Sequence, residues 1–500
     1  MFNKIMIANR GEIAIRVARA CKELGISAIG VYSAADRNAY HLQFMDDAHF
    51  IGESPPQASY LNIDNIIGAA KKAAVQAIHP GYGFLAENAM FAKACEESGI
   101  IFIGPDSKAL ALVGDKIASR NTVRRVGVPI IPGMQVTDTE IDVFKKSAAT
   151  VGYPVIVKAS MGGGGKGMRI VRTEGDLAAS VEAGRREAKS AFGDETVYLE
   201  KYIERPRHIE FQVLRDHYGN VVHIFERECS IQRRHQKIVE ETPSTVLTDD
   251  LRFRMGEAAK KVIAAAEYTN AGTVEFLLDE KGSFYFLEVN ARVQVEHPIT
   301  EMVTGVDLVR QQILIADGTK MELDQNRIEQ RGHAIEARIY AEDPENNFLP
   351  SPGAILFLDE PSGPGIRVDS GIYQGWNVPP HYDPILGKLI VWSEDRATAI
   401  RRMSCALEQY TILGIKTNLG YLKRIMDNQG FRDGNYHTHF IEENAGKLVM
   451  SDEHLPAALI GAALVMTLKE RAGKDAAVGA GVRYSTTPWQ ELGSWEICAR

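Results

Sequence analysis

Thr273-Val-Glu-Phe-Leu-Leu278 and Phe284-Tyr-Phe-Leu-Glu-Val-Asn290 flank the polar stretch Asp279-Glu-Lys-Gly-Ser283. Apolar, β-branched and aromatic runs on either side of such a turn signal predict a β-hairpin. With Lys281-Gly282 as a two-residue turn, Glu275 faces Glu288 across the hairpin. Like charges placed opposite one another destabilise a sheet, so a shared proton, a cation or exposure to water must offset them. Asn290 lies two residues from Glu288 and therefore on the same side. The resulting all-oxygen cluster suits Mg²⁺ or Mn²⁺ carrying nucleotide phosphates. A solvated charged face is the competing reading, because exposed carboxylates are common.

Outward from the hairpin, Asn290-Ala-Arg-Val-Gln-Val-Glu-His-Pro298 keeps the period of two. Arg292, Gln294 and Glu296 are thus expected along one face: a cation for a planar anion, an amide and a candidate general base. A surface ion pair between Arg292 and Glu296 is the plainer alternative.

A second glycine-bearing hairpin is expected upstream, where Met161-Gly-Gly-Gly-Gly-Lys-Gly167 separates Pro154-Val-Ile-Val-Lys158 from Met168-Arg-Ile-Val171. The backbone of Gly162, Gly163, Gly164, Gly165 and Gly167 can approach phosphates closely, and Lys166 adds a charge. A strand follows the run, whereas a dinucleotide fingerprint needs a helix there, and Gly167 stands where a Walker loop has Ser or Thr. Lys158 on an otherwise apolar strand favours an anionic ligand over a bare surface hairpin.

Five hundred residues predict about three domains. Residues 1 to about 113 alternate apolar runs with amphipathic segments, which reads as βαβ units around a parallel sheet. The middle reads as α+β, and short proline-broken strands after Gly332, followed by a helix at Arg396 to Gln409, read as a third domain. The 65 acidic and 57 basic side chains, a net charge of −8, point to neither nucleic acid nor an anionic membrane as partner. Five scattered cysteines fit a reducing cytoplasm. Met1 to Lys4 leave no room for a signal peptide, and Ala457 to Met466 is too short to span a membrane.

With these residues in view, the chain resembles the biotin carboxylases of the ATP-grasp superfamily from Ile5 to about Glu443. The resemblance rests on Ile7-Ala-Asn-Arg-Gly-Glu-Ile13, His79-Pro-Gly-Tyr-Gly-Phe-Leu85, Gly162 to Met168, Arg233-Arg-His-Gln-Lys237 and Glu288 to Pro298, in that order. Ala86 and Ala291 depart from residues other members often carry. The resemblance implies a Rossmann-like domain over residues 1–113 and an ATP-grasp domain over 114–332 with a mobile lid at about 132–203. A C-terminal α+β domain over 333–446 and a helical or irregular tail over 447–500 complete the expected order. It implies ATP contacts at Lys116, Lys158, Glu200, Lys201, Ile203, His208, Gln232 and His235, beside the glycine run. Glu275, Glu288 and Asn290 are the implied metal site; Lys237, Arg292, Gln294, Val295 and Glu296 the bicarbonate site; Arg338 and Tyr82 the biotin side.

By the same resemblance Glu296 is the base, Lys237, Arg292 and Arg338 act with it, and biotin arrives on a separate carrier protein. The other implied partners are a carboxyltransferase subunit, together with a second copy of the chain in a homodimer through Arg19, Glu23 and Arg367. No Met-Lys-Met of a biotinyl carrier occurs in the sequence. Another ATP-grasp carboxylate-amine ligase, or a non-catalytic nucleotide-binding subunit of a carboxylase, are the rival readings; the run Arg292 to Glu296 together with Arg338 speaks against the first, and the second would show a lost catalytic residue, of which there is none.

Overall fold

The computed structural model describes residues 1–133, 140–159, 168–192, 195–234, 236–450, 456, 457, 459–465 and 467. It falls into two units, Met1–Leu448 and Val449–Arg500. In the second unit the described residues from 456 to 467 are helical, within the stretch 447–500 expected to be helical or irregular.

The first unit opens with five parallel strands in the order Asp47–Gly52, Ser27–Ser33, Lys4–Ile7, Ala77–His79, Ile101–Phe102. Lys4–Ile7 is central because it is apolar on both faces: Met6 enters one core with Ile29 and Ile78, while Ile5 and Ile7 enter another with Ile13 and Val17. Two of the sequence motifs meet at the ends of these strands. Asn9 Nδ2 donates to the carbonyls of Pro80 and Tyr82, each at 2.7 Å. Gly81, at φ +62°, must be glycine there, since a Cβ would lie 2.8 Å from the same Asn9 amide.

A three-stranded sheet, Arg169–Val171, Val155–Ala159, Val197–Lys201, carries the helices Ile141–Val151 and Leu177–Phe192 over its own small core. Val155 pairs antiparallel with Val171, as the glycine-run hairpin requires.

The largest sheet has eight strands in the order Phe284–Asn290, Asn270–Leu278, Arg207–Arg215, Val221–Arg233, Gln236–Thr242, His333–Tyr340, Ile385–Ser393, Ile366–Ser370. Its ladder runs unbroken from residues before Gly332 to residues after it: Val239 pairs with Ala337 and Glu240 with Glu336. Among the described residues no helix is long and apolar enough to cross a membrane.

Two local expectations are corrected. The hairpin loop has three residues, Glu280-Lys281-Gly282, closed by Asp279 N–H to Ser283 C=O at 2.9 Å, with Gly282 at φ +79°. Next to the loop Phe276 pairs with Phe286; a bulge between Glu275 and Phe276 takes up one residue, and Glu275 still faces Glu288. The strand also ends at Asn290 and does not continue to Glu296: a turn follows, and helix His297–Thr304 begins with Glu296 at its N-cap.

Candidate active site

Four neighbouring strands of the large sheet place one residue each in a single row: Glu288, Glu275, Glu210 and Arg227 are successive cross-strand partners. Three glutamates side by side repel. The offset comes from two cations. Arg227, fully buried, donates to Glu210 at 2.5 Å, Gln212 and Thr300 at 2.9 Å, and Thr273 at 3.1 Å. Lys237 reaches in from the strand Gln236–Thr242 and binds Glu210, Glu275 at 2.8 Å and Glu296 at 2.7 Å.

These contacts set the charge states. Burial works against every charged form here, yet Glu210, Glu275 and Glu296 hold Lys237 well above the usual lysine range. Against the same burial, Lys237 and His208, whose Nε2 lies 3.0 Å from the carboxylate, hold Glu275 far down. Lys237, Arg338 and Arg227 do the same for Glu296. Glu210 and Glu288 go the other way: burial and then Glu296 push the first up, burial and then Glu275 the second. Glu288 faces Glu275 across the strands, while Asn290 Nδ2 donates to Glu275 at 2.8 Å and its Oδ1 accepts from Arg292; the two facing carboxyls are the oxygen donors that fit a divalent metal.

Among the residues expected to hold bicarbonate, Arg292 and Gln294 meet at 3.0 Å, and Arg292 also binds Asn290 and Glu87. Arg292 and Glu296 form no ion pair with each other; the turn sends Glu296 to Lys237 and to Arg338, at 2.8 Å. The amide nitrogen of Gln294 is buried with no partner, an open donor for an anion. Val295 gives its carbonyl to Lys388 at 2.9 Å, and Lys388 lies 3.1 Å from Glu12, which receives the hydroxyl of Tyr82. Arg338 donates as well to Glu240 at 2.6 Å.

Among the residues expected to hold the nucleotide, Lys158 donates to Glu200 at 2.7 Å, and Arg120 pairs with the same carboxylate. Burial, then Arg120 and Lys116, lower Lys158 to about 8. Lys116 opens the helix Lys116–Arg125 and also acts on Glu288, so it stands between the two halves. Lys201 holds the carbonyls of Gly152 and Tyr153 at 2.9 Å, fixing the Glu200 to Ile203 segment against the smaller sheet. Gln232 is the cross-strand partner of Lys237. Gly162 to Gly167 and His235 lie outside the described residues.

Sequence reasoning missed Glu210, Arg227, Arg120, Glu87, Glu240, Glu12 and Lys388. One signal was present: Arg207–Arg215 alternates polar and apolar residues, and its polar set, His208, Glu210 and Gln212, is buried.

Known proteins match most of the chain. Residues 1–110 match the family described as biotin carboxylase, N-terminal domain; 115–324 match the carbamoyl-phosphate synthase L chain, ATP binding domain; 336–443 match the biotin carboxylase C-terminal domain. Biotin carboxylase of Nostoc sp. is 54% identical over 443 residues, covering 88% of this chain and 99% of that one. Biotin carboxylase 1 of Bacillus subtilis is 49% identical over 443 residues, 88% and 98% of the two chains. The biotin carboxylase domain dimer of Hydrogenobacter thermophilus 2-oxoglutarate carboxylase, solved with MgADP, ADP and bicarbonate, superposes with a TM-score of 0.86 at 48% identity, covering 90% of this chain and 99% of that one.

Proposed function

The chain belongs to the biotin carboxylase family, and on that premise we propose how its residues divide the work. It is an ATP-dependent ligase that carboxylates biotin. The observation that carries the residue assignment is Lys237: one ammonium touches Glu275 on the metal side and Glu296 on the bicarbonate side, so the γ-phosphate and bicarbonate are brought together around it.

In this reading Lys158 and Lys116 take the phosphates, and Glu200 to Ile203, with His208, Gln232, His235 and the run Gly162 to Gly167, take the nucleotide. Mg²⁺, bound by Glu275 and Glu288 beside Asn290, would neutralise phosphate charge. Arg292, Lys237 and the open amide of Gln294 hold bicarbonate next to Val295. Glu296, ionised at neutral pH, takes the bicarbonate proton; the incoming anion, and release of Arg338, both raise its affinity for that proton. The oxyanion attacks the γ-phosphorus, the bond to the ADP oxygen breaks, and carboxyphosphate results. Its collapse gives CO₂ and phosphate, and phosphate removes the ureido N–H proton of biotin. Arg338, near Tyr82, stabilises the enolate oxygen while nitrogen attacks CO₂. Water must be excluded throughout, which suits a closing lid at about 132–203.

The rest of the reading is coarser. The domain limits are 1–113, 114–332, 333–446 and 447–500. The biotinyl lysine lies outside these 500 residues, on a carrier protein that raises its effective concentration, and a carboxyltransferase selects the final acceptor. A cytoplasmic homodimer is expected. Arg19 and Glu23 are exposed and available to such an interface, while Arg367 is held within the chain by Glu301 and Asp369. The test is ADP release measured with and without bicarbonate and free biotin. Dependence on both supports the function; ADP release that ignores bicarbonate overturns it.

A further inference from the structure

The face of the large sheet behind Arg338 holds two carboxyls, and three of their four oxygens are buried without a hydrogen-bond partner. Odd positions of the strand His333–Tyr340, Ile335, Ala337 and Ile339, enter an apolar core with Val239 and Met403. Even positions, Ala334, Glu336 and Arg338, face the helix His297–Thr304, where Ala334 packs on Ile299 and Val303. Glu336 is fully buried, and neither of its oxygens has a hydrogen-bond partner. Its direct cross-strand partner is Glu240, also fully buried, whose Oε1 is held by Arg338 and whose Oε2 has no partner.

Two buried carboxyls opposite each other cannot both be ionised without a large penalty; such pairs hold one proton between them. The cations that act on the pair, Arg338, Lys388 and Lys237, make their own hydrogen bonds elsewhere except for the one from Arg338 to Glu240. Arg338 is shared between Glu240 and Glu296. Lys388, on the neighbouring strand, is spent on the Val295 carbonyl and Glu12, with Asp369 at 3.9 Å. His297, at the start of the covering helix, is kept neutral by burial and then by Lys388, Arg16 and Arg367.

We propose that Glu336 is a positioning residue for biotin carboxylation: a proton it shares with Glu240 keeps Arg338 releasable toward the biotin ureido oxygen. The inference rests on the assignment of Arg338 to biotin. With the proton in place the pair carries a single negative charge. When the Arg338 hydrogen bond to Glu240 breaks, the Glu336 O–H donates to Glu240 in its stead, and no bare carboxylate is left behind. No covalent bond changes and the charge of the pair is conserved. Without the proton, two carboxylates hold the guanidinium back. Burial, opposed by Lys388 and reinforced by Glu240, raises Glu336 far above the carboxylate range, and burial lifts Glu240 to about 7. The last proton therefore leaves above the usual carboxylate range.

The experiment is the KM of free biotin against pH, with the KM of ATP in the same preparations as internal control. For the wild-type chain the biotin KM is expected to rise by up to about tenfold per pH unit above the apparent pKa of the pair. Glu336→Gln, neutral at every pH, is expected to remove that rise and leave the pH dependence of the ATP KM as it was. A biotin KM that is flat in the wild type, or a rise that survives Glu336→Gln, overturns the inference. If Glu336→Gln does not fold, Glu240→Gln must flatten the profile from the other member of the pair, and its failure to do so counts equally against it. Absence of bicarbonate- and biotin-dependent ADP release in the wild type at any pH is a different result, and removes the assigned function itself.

Discussion

Lys158 and Lys237 are both largely buried strand lysines, yet their surroundings are opposite. Lys158 shares one carboxylate, Glu200, with Arg120, and burial, Arg120 and Lys116 weaken its ammonium to about 8. Lys237 lies among three carboxylates, which together outweigh burial and hold its charge firmly. One pole of the site is short of negative charge and the other short of positive charge. On the proposed assignment a nucleotide with its metal would supply both at once, phosphates to the first pole and a cation to Glu288 on the second.

This contrast can be broken at several points. The largest effect is expected at the negative pole: Glu296→Gln should retain ATP binding yet lose about 10²–10⁴-fold in bicarbonate-dependent turnover, since it removes a base and little binding area. Steady-state ADP release with equilibrium nucleotide binding checks it, and near-normal turnover would sink the base assignment. Next comes a comparison of the two lysines by urea unfolding. Lys237→Gln leaves Glu210, Glu275 and Glu296 without their common cation and should cost roughly 3–5 kcal/mol, as loss of one member of a buried ion pair does. Lys158→Gln relieves repulsion with Arg120, which still pairs with Glu200, and should cost less than about 1 kcal/mol. Equal losses would mean that the two poles do not differ as described.

The smallest effect concerns pH. Lys158 loses its proton as pH rises through about 8, so its attraction for phosphate is present below that value and lost above it. The kcat/KM for ATP should fall by up to about tenfold per pH unit on the alkaline side, and Lys158→Arg should shift the fall to higher pH. An ATP profile unchanged by the arginine would assign the limb to another group.

Much of the fold and part of the site could be read in advance, and the boundary between the two has physical causes. The βαβ pattern of the first hundred residues is local and survives intact. The facing of Glu275 and Glu288 also came through, although by a wrong loop: a bulge restored the register that a three-residue connection had shifted. Lys158 announced itself as a lysine on an apolar strand. His208, Glu210 and Gln212, by contrast, sit on a strand whose alternation reads as half solvated. What buries them, Lys237, Arg227 and the turn at Arg292 to Glu296, comes from remote parts of the sequence, and periodicity carries no trace of it. The break after Asn290 was hidden for a related reason, since Arg292, Gln294 and Glu296 alternate as a strand would, and only the partners of Glu296 pull the chain away.

The unbroken ladder across Gly332 governs how this chain can be made. Until His333–Tyr340 emerges, the strand Gln236–Thr242 is an open edge, and it waits for about 100 further residues while Val239 and Ala337 are still apart. At a synthesis pace of about 5–20 residues per second, that is on the order of 5–20 s during which unpaired backbone can template association with other nascent chains. Truncations ending inside this interval are therefore expected in the insoluble fraction, and a chaperone that shields strand edges should matter most during those seconds.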